Sequence, residues 1–219
     1  MKIPNNKIKV IIKDAKWTSW AELKAFSEAG ELDEILKSGD NIPVMLKNGD
    51  KVSFDIGKDE SGTIYFIMHS CLKDRKPMNA KETNEGGWEA SDMRKYLNEE
   101  IIKLLPDELQ EVIKPTKIVQ ILKGKKQETE DKLFLLSRTQ ILGKDGWYEL
   151  IDSNDSQIDI FKSRRERIKE SDDYEISHDW WLRSPYDGYS KYFCMIDADG
   201  GVDCDSADYS WGVIPAFCI

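Results

Sequence analysis

The chain has 219 residues, of which 40% are hydrophobic and 33% charged, and its formal net charge is -9 at pH 7. Seven tryptophans and seven phenylalanines supply enough apolar bulk for one enlarged globular domain over residues 1–219, which excludes an intrinsically disordered chain. The acidic balance argues against a nucleic-acid partner, because such proteins present a basic face to phosphates.

The N-terminus lacks the pattern of a signal peptide. Its apolar run, Val10–Ile12, is stopped at once by Lys13 and Asp14, and is too short for the apolar part of a leader. No stretch approaches about 18 continuous apolar residues, so we expect no membrane insertion. The sequence predicts synthesis in the cytosol.

Residues 1–70 predict a helical segment followed by an antiparallel meander. Apolar residues fall at helical spacing between Ala21 and Lys37, Ser19 is a candidate N-cap, and Gly30 predicts a break between two short helices. Alternating strands then flank the turn at Asn48-Gly49. A denser apolar run, Ile64–Met68, predicts a buried strand.

The middle of the chain predicts further short elements of both kinds. Ser91 can cap a helix that continues through Asn98, and Pro106 can begin a helix that ends at Ile113. The remaining predictions are strands at Ile118–Leu122 and Lys132–Ser137 and a helical piece at Ile160–Lys169.

The last section predicts short strands separated by Gly and Asp turns. They lie at Tyr192–Asp197, Gly201–Asp205 and Val213–Cys218. Short antiparallel strands with flanking helices indicate an α+β fold.

The composition changes sharply in this section. From Pro185 to Ile219 the chain has one lysine, Lys191, and no arginine, glutamate, glutamine or asparagine, while six aspartates and four tyrosines remain. A turn-rich β region is one interpretation, because Asp, Gly and Ser favour turns. A ligand-contacting surface is the other, because tyrosine gives a large contact area at little cost in rotamer entropy.

Several blocks of sequence resemble a family of bacterial and phage proteins. They are Gly86–Asn98, Asp131–Ser137, the WWLRSP run Trp180–Pro185 and the closing GVIPAFCI run Gly212–Ile219. The layout is similar to the variable proteins of diversity-generating retroelements. This resemblance implies a C-type-lectin-like fold, which formylglycine-generating enzymes share, with residues 180–219 as the variable region.

Such systems diversify AAC or AAT codons by error-prone copying of adenines. Between Tyr186 and Ser210, only Lys191 and Met195 lie outside the set of residues that these codons reach. This accounts for the missing glutamate in one step. Asparagine, the undiversified product, is also absent, which indicates heavy diversification or a relative that has lost the system.

The resemblance implies a rigid scaffold that presents the diversified positions to a macromolecular ligand, either a protein or a cell-surface glycan. The implied ligand contacts are Tyr186, Asp187, Tyr189, Ser190, Tyr192, Asp197, Asp199, Asp203, Asp205, Ser206, Asp208, Tyr209 and Ser210. The implied scaffold residues are Trp180, Trp181, Trp211, Pro215 and Phe217. The resemblance implies no cofactor, and a location in a phage virion or in the bacterial cytoplasm before release.

The candidate metal sites in this sequence lack essential ligands. The segment Asp197–Asp203 begins like a calcium loop, but Val202 stands where that loop needs glycine and Asp208 where it needs glutamate. We therefore expect a turn there and no metal. The cysteines have no zinc spacing, and we expect thiols, although Cys194 and Cys204 can meet across a hairpin and form one disulfide.

Catalysis is the competing class of function. Cys194, Cys204 and Cys218 suit an oxidase of the formylglycine-generating type, and His178 beside Asp179 suits a general base. No further residue set supports either reaction, and His69 ends an apolar strand as a structural residue would. We expect a binding protein and no enzyme. A structural virion component without variable recognition is the remaining alternative.

Overall fold

The computed structural model describes residues 17–144, 155–170 and 177–219, and it shows an α+β protein with antiparallel sheets. The apolar run Val10–Ile12 lies outside these residues. Among the residues described, no helix combines the length and the apolarity needed to cross a membrane.

The helices are short and follow one another in the first three quarters of the chain. They are α1 (Trp20–Ala29), α2 (Leu32–Ile35), α3 (Gly87–Ala90), α4 (Asp92–Tyr96), α5 (Ile102–Leu104), α6 (Asp107–Val112), α7 (Arg138–Leu142) and α8 (Arg164–Arg167). A π-helical turn, Leu97–Ile101, joins α4 to α5, and a 3₁₀ turn, Asp159–Phe161, precedes α8.

The predicted helix boundaries near the N-terminus are confirmed. The Ser19 hydroxyl accepts the Glu22 N–H, as an N-cap does, and Gly30 ends α1 with φ 74°. Ser91 likewise accepts the Arg94 N–H at the start of α4. In each case a local sequence signal is sufficient, because the cap satisfies backbone groups within the same turn.

The strands form two main sheets and two small hairpins. They are β1 (Asn41–Met45), β2 (Lys51–Lys58), β3 (Ile64–Met68), β4 (Thr116–Leu122), β5 (Lys125–Asp131), β6 (Lys169–Glu170), β7 (Ser177–His178), β8 (Trp180–Pro185), β9 (Tyr192–Ile196), β10 (Val202–Ser206) and β11 (Ala216–Phe217). The four-stranded sheet has the order β1-β2-β3-β11 and the three-stranded sheet the order β10-β9-β8, while β4–β5 and β6–β7 pair as hairpins.

One cluster of buried apolar side chains extends from Trp17 to Ile219. Phe66 on β3 stacks on Phe217 on β11 with ring centroids 4.9 Å apart. The predicted scaffold tryptophans Trp180 and Trp181 lie within β8 and are fully buried. The two ends of the chain's described part thus share one core, which fixes the three-stranded sheet against the N-terminal meander.

The predicted strand Lys132–Ser137 is wrong. Phe134 makes an isolated bridge to Ala216, while the N–H groups of Lys132 and Leu133 donate to the Asn98 side chain. The run is apolar because it is buried on every side, and a buried run does not require a continuous strand partner.

Other predicted boundaries are corrected by tertiary contacts. The helical piece Ile160–Lys169 divides into the 3₁₀ turn, α8 and the start of β6, and the strand Val213–Cys218 narrows to β11. The polar strand β5 was not predicted from the sequence. Lys123 and Gly124 join it to β4, and both have positive φ, as a two-residue hairpin turn requires.

Candidate binding surface

Three tyrosines form an offset stack: Tyr186 and Tyr189 lie in the loop between β8 and β9, here called the tyrosine loop, and Tyr192 begins β9. The ring centroids of Tyr186 and Tyr189 are 5.6 Å apart, and those of Tyr189 and Tyr192 are 5.5 Å apart. At these centroid separations, nearly parallel rings stack with a lateral offset. Tyr189, the middle ring, is 61% exposed, whereas the outer two are half-buried.

A buried asparagine from a distant part of the chain holds this loop. The Asn84 side-chain amide lies within hydrogen-bond reach of the carbonyl oxygens of Tyr186, Tyr189 and Tyr192, at 2.9, 2.8 and 2.9 Å. Its backbone N–H donates to the Ser190 carbonyl at 2.8 Å. Sequence reasoning missed Asn84, because nothing near it in the sequence indicates contact with residues about a hundred positions later.

A second segment, which follows β10, meets the tyrosine loop at the same end of the sheet. The Ala207 N–H donates to the Lys191 carbonyl at 2.9 Å. Tyr209 follows in this segment and is 55% exposed. We use the name tyrosine surface for Tyr186–Tyr192 together with Asp208–Ser210.

The charges on the tyrosine surface are mainly negative. Asp187 and Asp208 are exposed, and the ammonium group of Lys191 lies 2.8 Å from a Glu82 carboxylate oxygen. The hydrogen bond and charge of Glu82 raise the pKa of Lys191. Because Glu82 offsets the positive charge of Lys191, the aspartates dominate the potential at this surface.

Two of the predicted contacts, Asp197 and Asp199, lie at the opposite end of the three-stranded sheet. Five strand residues separate the two ends, a span of roughly 17 Å. The Asp197 carboxylate accepts the N–H groups of Asp199 and Gly201 at 2.9 and 2.8 Å, so it organises the expected turn. Gly200, with φ 76°, packs against the Arg164 carbonyl, which directs this turn toward α8.

Asp203 and Asp205, two predicted contacts on β10, bind backbone groups at a sheet edge. Asp203 and Asp205 accept the outward N–H groups of Cys204 and Ser206 at 2.8 and 2.7 Å, which blocks pairing with another strand. Ser206 itself is buried, and its hydroxyl donates to Asp208 at 2.7 Å. This position corrects the prediction that Ser206 contacts a ligand, because it lies beneath the surface and supports the loop.

All four cysteines lie in the described part of the chain, and none of them forms a disulfide. Cys194 and Cys204 face each other across β9 and β10, with their Sγ atoms 3.5 Å apart. Cys218 lies elsewhere in the core, where burial raises the pKa of its thiol to about 12. The three cysteines that suit an oxidase therefore do not converge on one site.

An ionic cluster lies outside the tyrosine surface. The Asp55 carboxylate is 2.8 Å from His69 Nδ1 and 3.1 Å from Lys169 Nζ. Burial opposes ionisation of Asp55, but the hydrogen bond from His69 and the charge of Lys169 outweigh it and bring its pKa to about 2. Desolvation lowers the pKa of buried Lys169. Through these contacts the cluster joins β2 and the residue that follows β3 to β6. This position agrees with the structural role that the sequence predicts for His69.

The other sequence candidates for chemistry lie apart from one another. His178, which contacts Arg75, precedes β8, whereas the tyrosine loop follows β8, so the two lie at opposite ends of that strand. Within residues 17–144, 155–170 and 177–219, no three His, Cys, Asp or Glu side chains are grouped so as to hold a metal ion. Two surface depressions of about 290 and 310 Å³, beside Arg94 and His69 respectively, do not include the tyrosine surface.

Comparison with known protein families gives a match over most of the chain. A family model described as a domain of unknown function, DUF6273, matches residues 62–219. This range includes the three-stranded sheet, Asn84 and the whole tyrosine surface. No curated protein and no solved structure matches the chain.

Proposed function

The chain belongs to the DUF6273 family, whose description records no function, and from its geometry we propose that it is a binding protein and not an enzyme. Its ligand is a macromolecule, a protein or a cell-surface glycan. The proposed contact region is the tyrosine surface, and the proposed scaffold is a C-type-lectin-like variant of the α+β fold. In this proposal a phage or bacterium encodes the protein for receptor recognition.

The observation that carries the proposal is the exposed aromatic stack, whose backbone binds the buried Asn84 side chain. Tyr189 and Tyr209 are the most exposed large aromatic side chains in the described part of the chain. Grouped exposed aromatic rings are typical of interaction sites, and rigid tyrosines bind with little further loss of entropy. Asn84 supplies that rigidity, since it fixes the loop backbone before any ligand arrives.

The shape of the surface favours a large ligand over a small one. Sites for small molecules are concave and enclose most of the ligand, whereas Asp187, Tyr189, Ser190 and Tyr209 are all exposed. The negative charge of this surface favours a neutral or cationic patch on the partner and disfavours nucleic acid. We expect salt to slow association, and an association rate that is equal at low and high salt would contradict this electrostatic part.

Binding can be tested with two matched double variants. In Tyr189→Ala/Tyr209→Ala the exposed rings of the surface are removed. In Met45→Ala/Ile121→Ala two other side chains, each 37% exposed, are removed from strands β1 and β4. Both proteins are applied to an array of bacterial surface glycans and to intact bacterial cells beside the unaltered chain. We expect a loss of binding of about 30-fold or more in the tyrosine variant alone, as for interface hot spots.

The diversification part of the proposal has its own test, which needs no ligand. The 3′ end of the gene is sequenced deeply in the source population. We expect substitutions at the codons of exposed residues such as Asp187, Tyr189 and Tyr209, and constancy at buried Phe193 and Met195. A uniform sequence would instead favour a fixed-specificity binder or a structural virion component.

A further inference from the structure

We propose that Cys194 and Cys204 form a modification site, a dithiol that reacts with a small-molecule disulfide such as glutathione disulfide to give a cross-strand disulfide. This inference rests on the register of β9 and β10 and is independent of the proposed function.

The register places the two side chains directly opposite each other. Cys194 pairs with Cys204 in the antiparallel ladder. The Cys204 N–H points away from β9 and donates to the Asp203 side chain. Three residues further along, the Ala207 N–H donates toward β9, to the Lys191 carbonyl, and bonded and non-bonded pairs alternate along an antiparallel ladder. Cys194 and Cys204 are therefore a non-hydrogen-bonded pair, the kind in which Cα atoms are about 4.5 Å apart and side chains lie closest.

The distance between the sulfurs fits bond formation without movement of the strands. The Sγ atoms are 3.5 Å apart, and a disulfide bond needs about 2.05 Å. The remaining gap of about 1.5 Å lies within the reach of side-chain rotation. A Cα separation of about 4.5 Å lies at the lower end of the range found in disulfides, so the two strands are close enough for the bond.

The two thiols differ in solvent exposure, and this difference assigns their roles in the exchange reaction. Cys204 is half-buried on the edge strand β10, and Cys194 is buried. The Cys204 thiolate attacks one sulfur of glutathione disulfide, forms a mixed disulfide and releases one glutathione. The Cys194 thiolate then attacks Cys204 Sγ and releases the second glutathione. The two protein thiols lose two protons and two electrons in total, which the two glutathiones receive.

The other two cysteines provide internal controls. Cys71 is buried against Gly212, where an added Cβ would lie 2.5 Å from its Sγ atom. Cys218 is buried at the end of the chain beside the Lys114 backbone. Neither lies beside the pair on the β9–β10 hairpin, so oxidation of the folded protein should leave both as thiols.

The disulfide would join the two strands that lead into the tyrosine surface. Cys194 lies two positions after Tyr192, and Cys204 lies four positions before Asp208. Strand β10 is an edge strand, so β9 is its single partner within that sheet. A covalent link would hold the edge strand in register and with it the segment that carries Tyr209.

The experiment uses the full chain equilibrated without denaturant in glutathione buffers of increasing oxidised fraction. Acid quenching and alkylation are followed by intact mass measurement. Trypsin cannot separate the pair, because no Lys or Arg follows Lys191, whereas cleavage before Asp197 and Asp203 does. We expect a loss of two hydrogens, peptides joined through Cys194 and Cys204, and reversal by dithiothreitol. Cys204→Ser, a conservative change on a half-exposed side chain, should abolish the mass change.

Three results would overturn the proposal. One is four alkylated thiols at the most oxidising ratio. Another is a stable glutathione adduct on Cys204 with Cys194 still reduced, which would show that the buried sulfur does not reach its neighbour. The last is a disulfide that involves Cys71 or Cys218. The unaltered chain alone suffices to distinguish these results.

Discussion

Replacing Asn84 with alanine tests whether this side chain holds the tyrosine loop. The change removes the amide that approaches three loop carbonyls. Each of those carbonyls keeps one backbone donor, because Tyr189, Tyr192 and Tyr186 donate within the loop at 3.4, 3.4 and 2.8 Å. The cost is therefore the net value of the amide's two N–H donors, roughly 0.5–1.5 kcal/mol each, or about 1–3 kcal/mol in the free energy of loop opening.

Trypsin provides the assay, because Lys191 lies inside the loop and no later residue is a tryptic site. Cleavage requires the loop to open, so the rate of cleavage follows the population of the open form. A change of 1–3 kcal/mol corresponds to roughly 5- to 140-fold faster release of residues 192–219, measured by mass spectrometry under denaturing conditions.

Asn98→Ala is the matched control. Asn98 also bridges backbone groups, since its amide donates to the Leu133 carbonyl at 2.8 Å and its oxygen accepts the Lys132 N–H at 3.0 Å. This bridge lies away from the loop, so the variant should lower the melting temperature without selective cleavage after Lys191. Equal cleavage rates in the Asn84 variant and the unaltered chain would refute the reasoning.

Three further predictions concern stability, each measured by urea unfolding. Trp181→Ala should lower the free energy of unfolding by about 3–5 kcal/mol, because the ring is fully buried. Tyr189→Ala and Tyr209→Ala should each lower it by under about 1 kcal/mol. Equal decreases in all three variants would place the tyrosines in the core. The pKa of Asp55 is about 2 in the folded chain, below its unfolded value of about 3.9, so its stabilising contribution is complete above pH 4 and declines as pH falls toward 2. Asp55→Asn should flatten that decline, and an unchanged pH profile would count against the ionic cluster. Gly200→Ala should destabilise by more than about 2 kcal/mol, because φ is 76° and the new Cβ would meet an α8 carbonyl oxygen at 1.9 Å; a neutral effect would place that turn elsewhere.

Part of the candidate site was predictable from composition alone. The change from lysine and glutamate to tyrosine, serine and aspartate after Ser184 indicated which segment faces solvent, and the exposure of Tyr189 and Tyr209 agrees with it. The sequence also indicated that Cys194 and Cys204 can meet, because two strands joined by a short turn bring residues at equal distances from that turn together.

The division of the predicted contacts between two ends of the sheet required the tertiary structure. Asp197 and Tyr192 belong to the same compositional segment, yet a strand that runs between them places them at opposite ends. Ser206 has the residue type of a surface contact but is buried, and its hydroxyl donates to Asp208 within the protein. Composition reports residue types and does not report the direction in which each strand carries them.

The sequence by itself determined the local elements whose signals act within one turn or one hairpin. Ser19 and Gly30 set the limits of α1, and the turn at Asn48-Gly49 sets the pairing of β1 with β2. The tertiary structure alone decided the contacts that join distant segments: Asn84 beneath the tyrosine loop, Lys169 beside Asp55, and β11 against β3. Their partners lie about a hundred or more positions apart in the chain, and such contacts form only when the shared core brings those segments together.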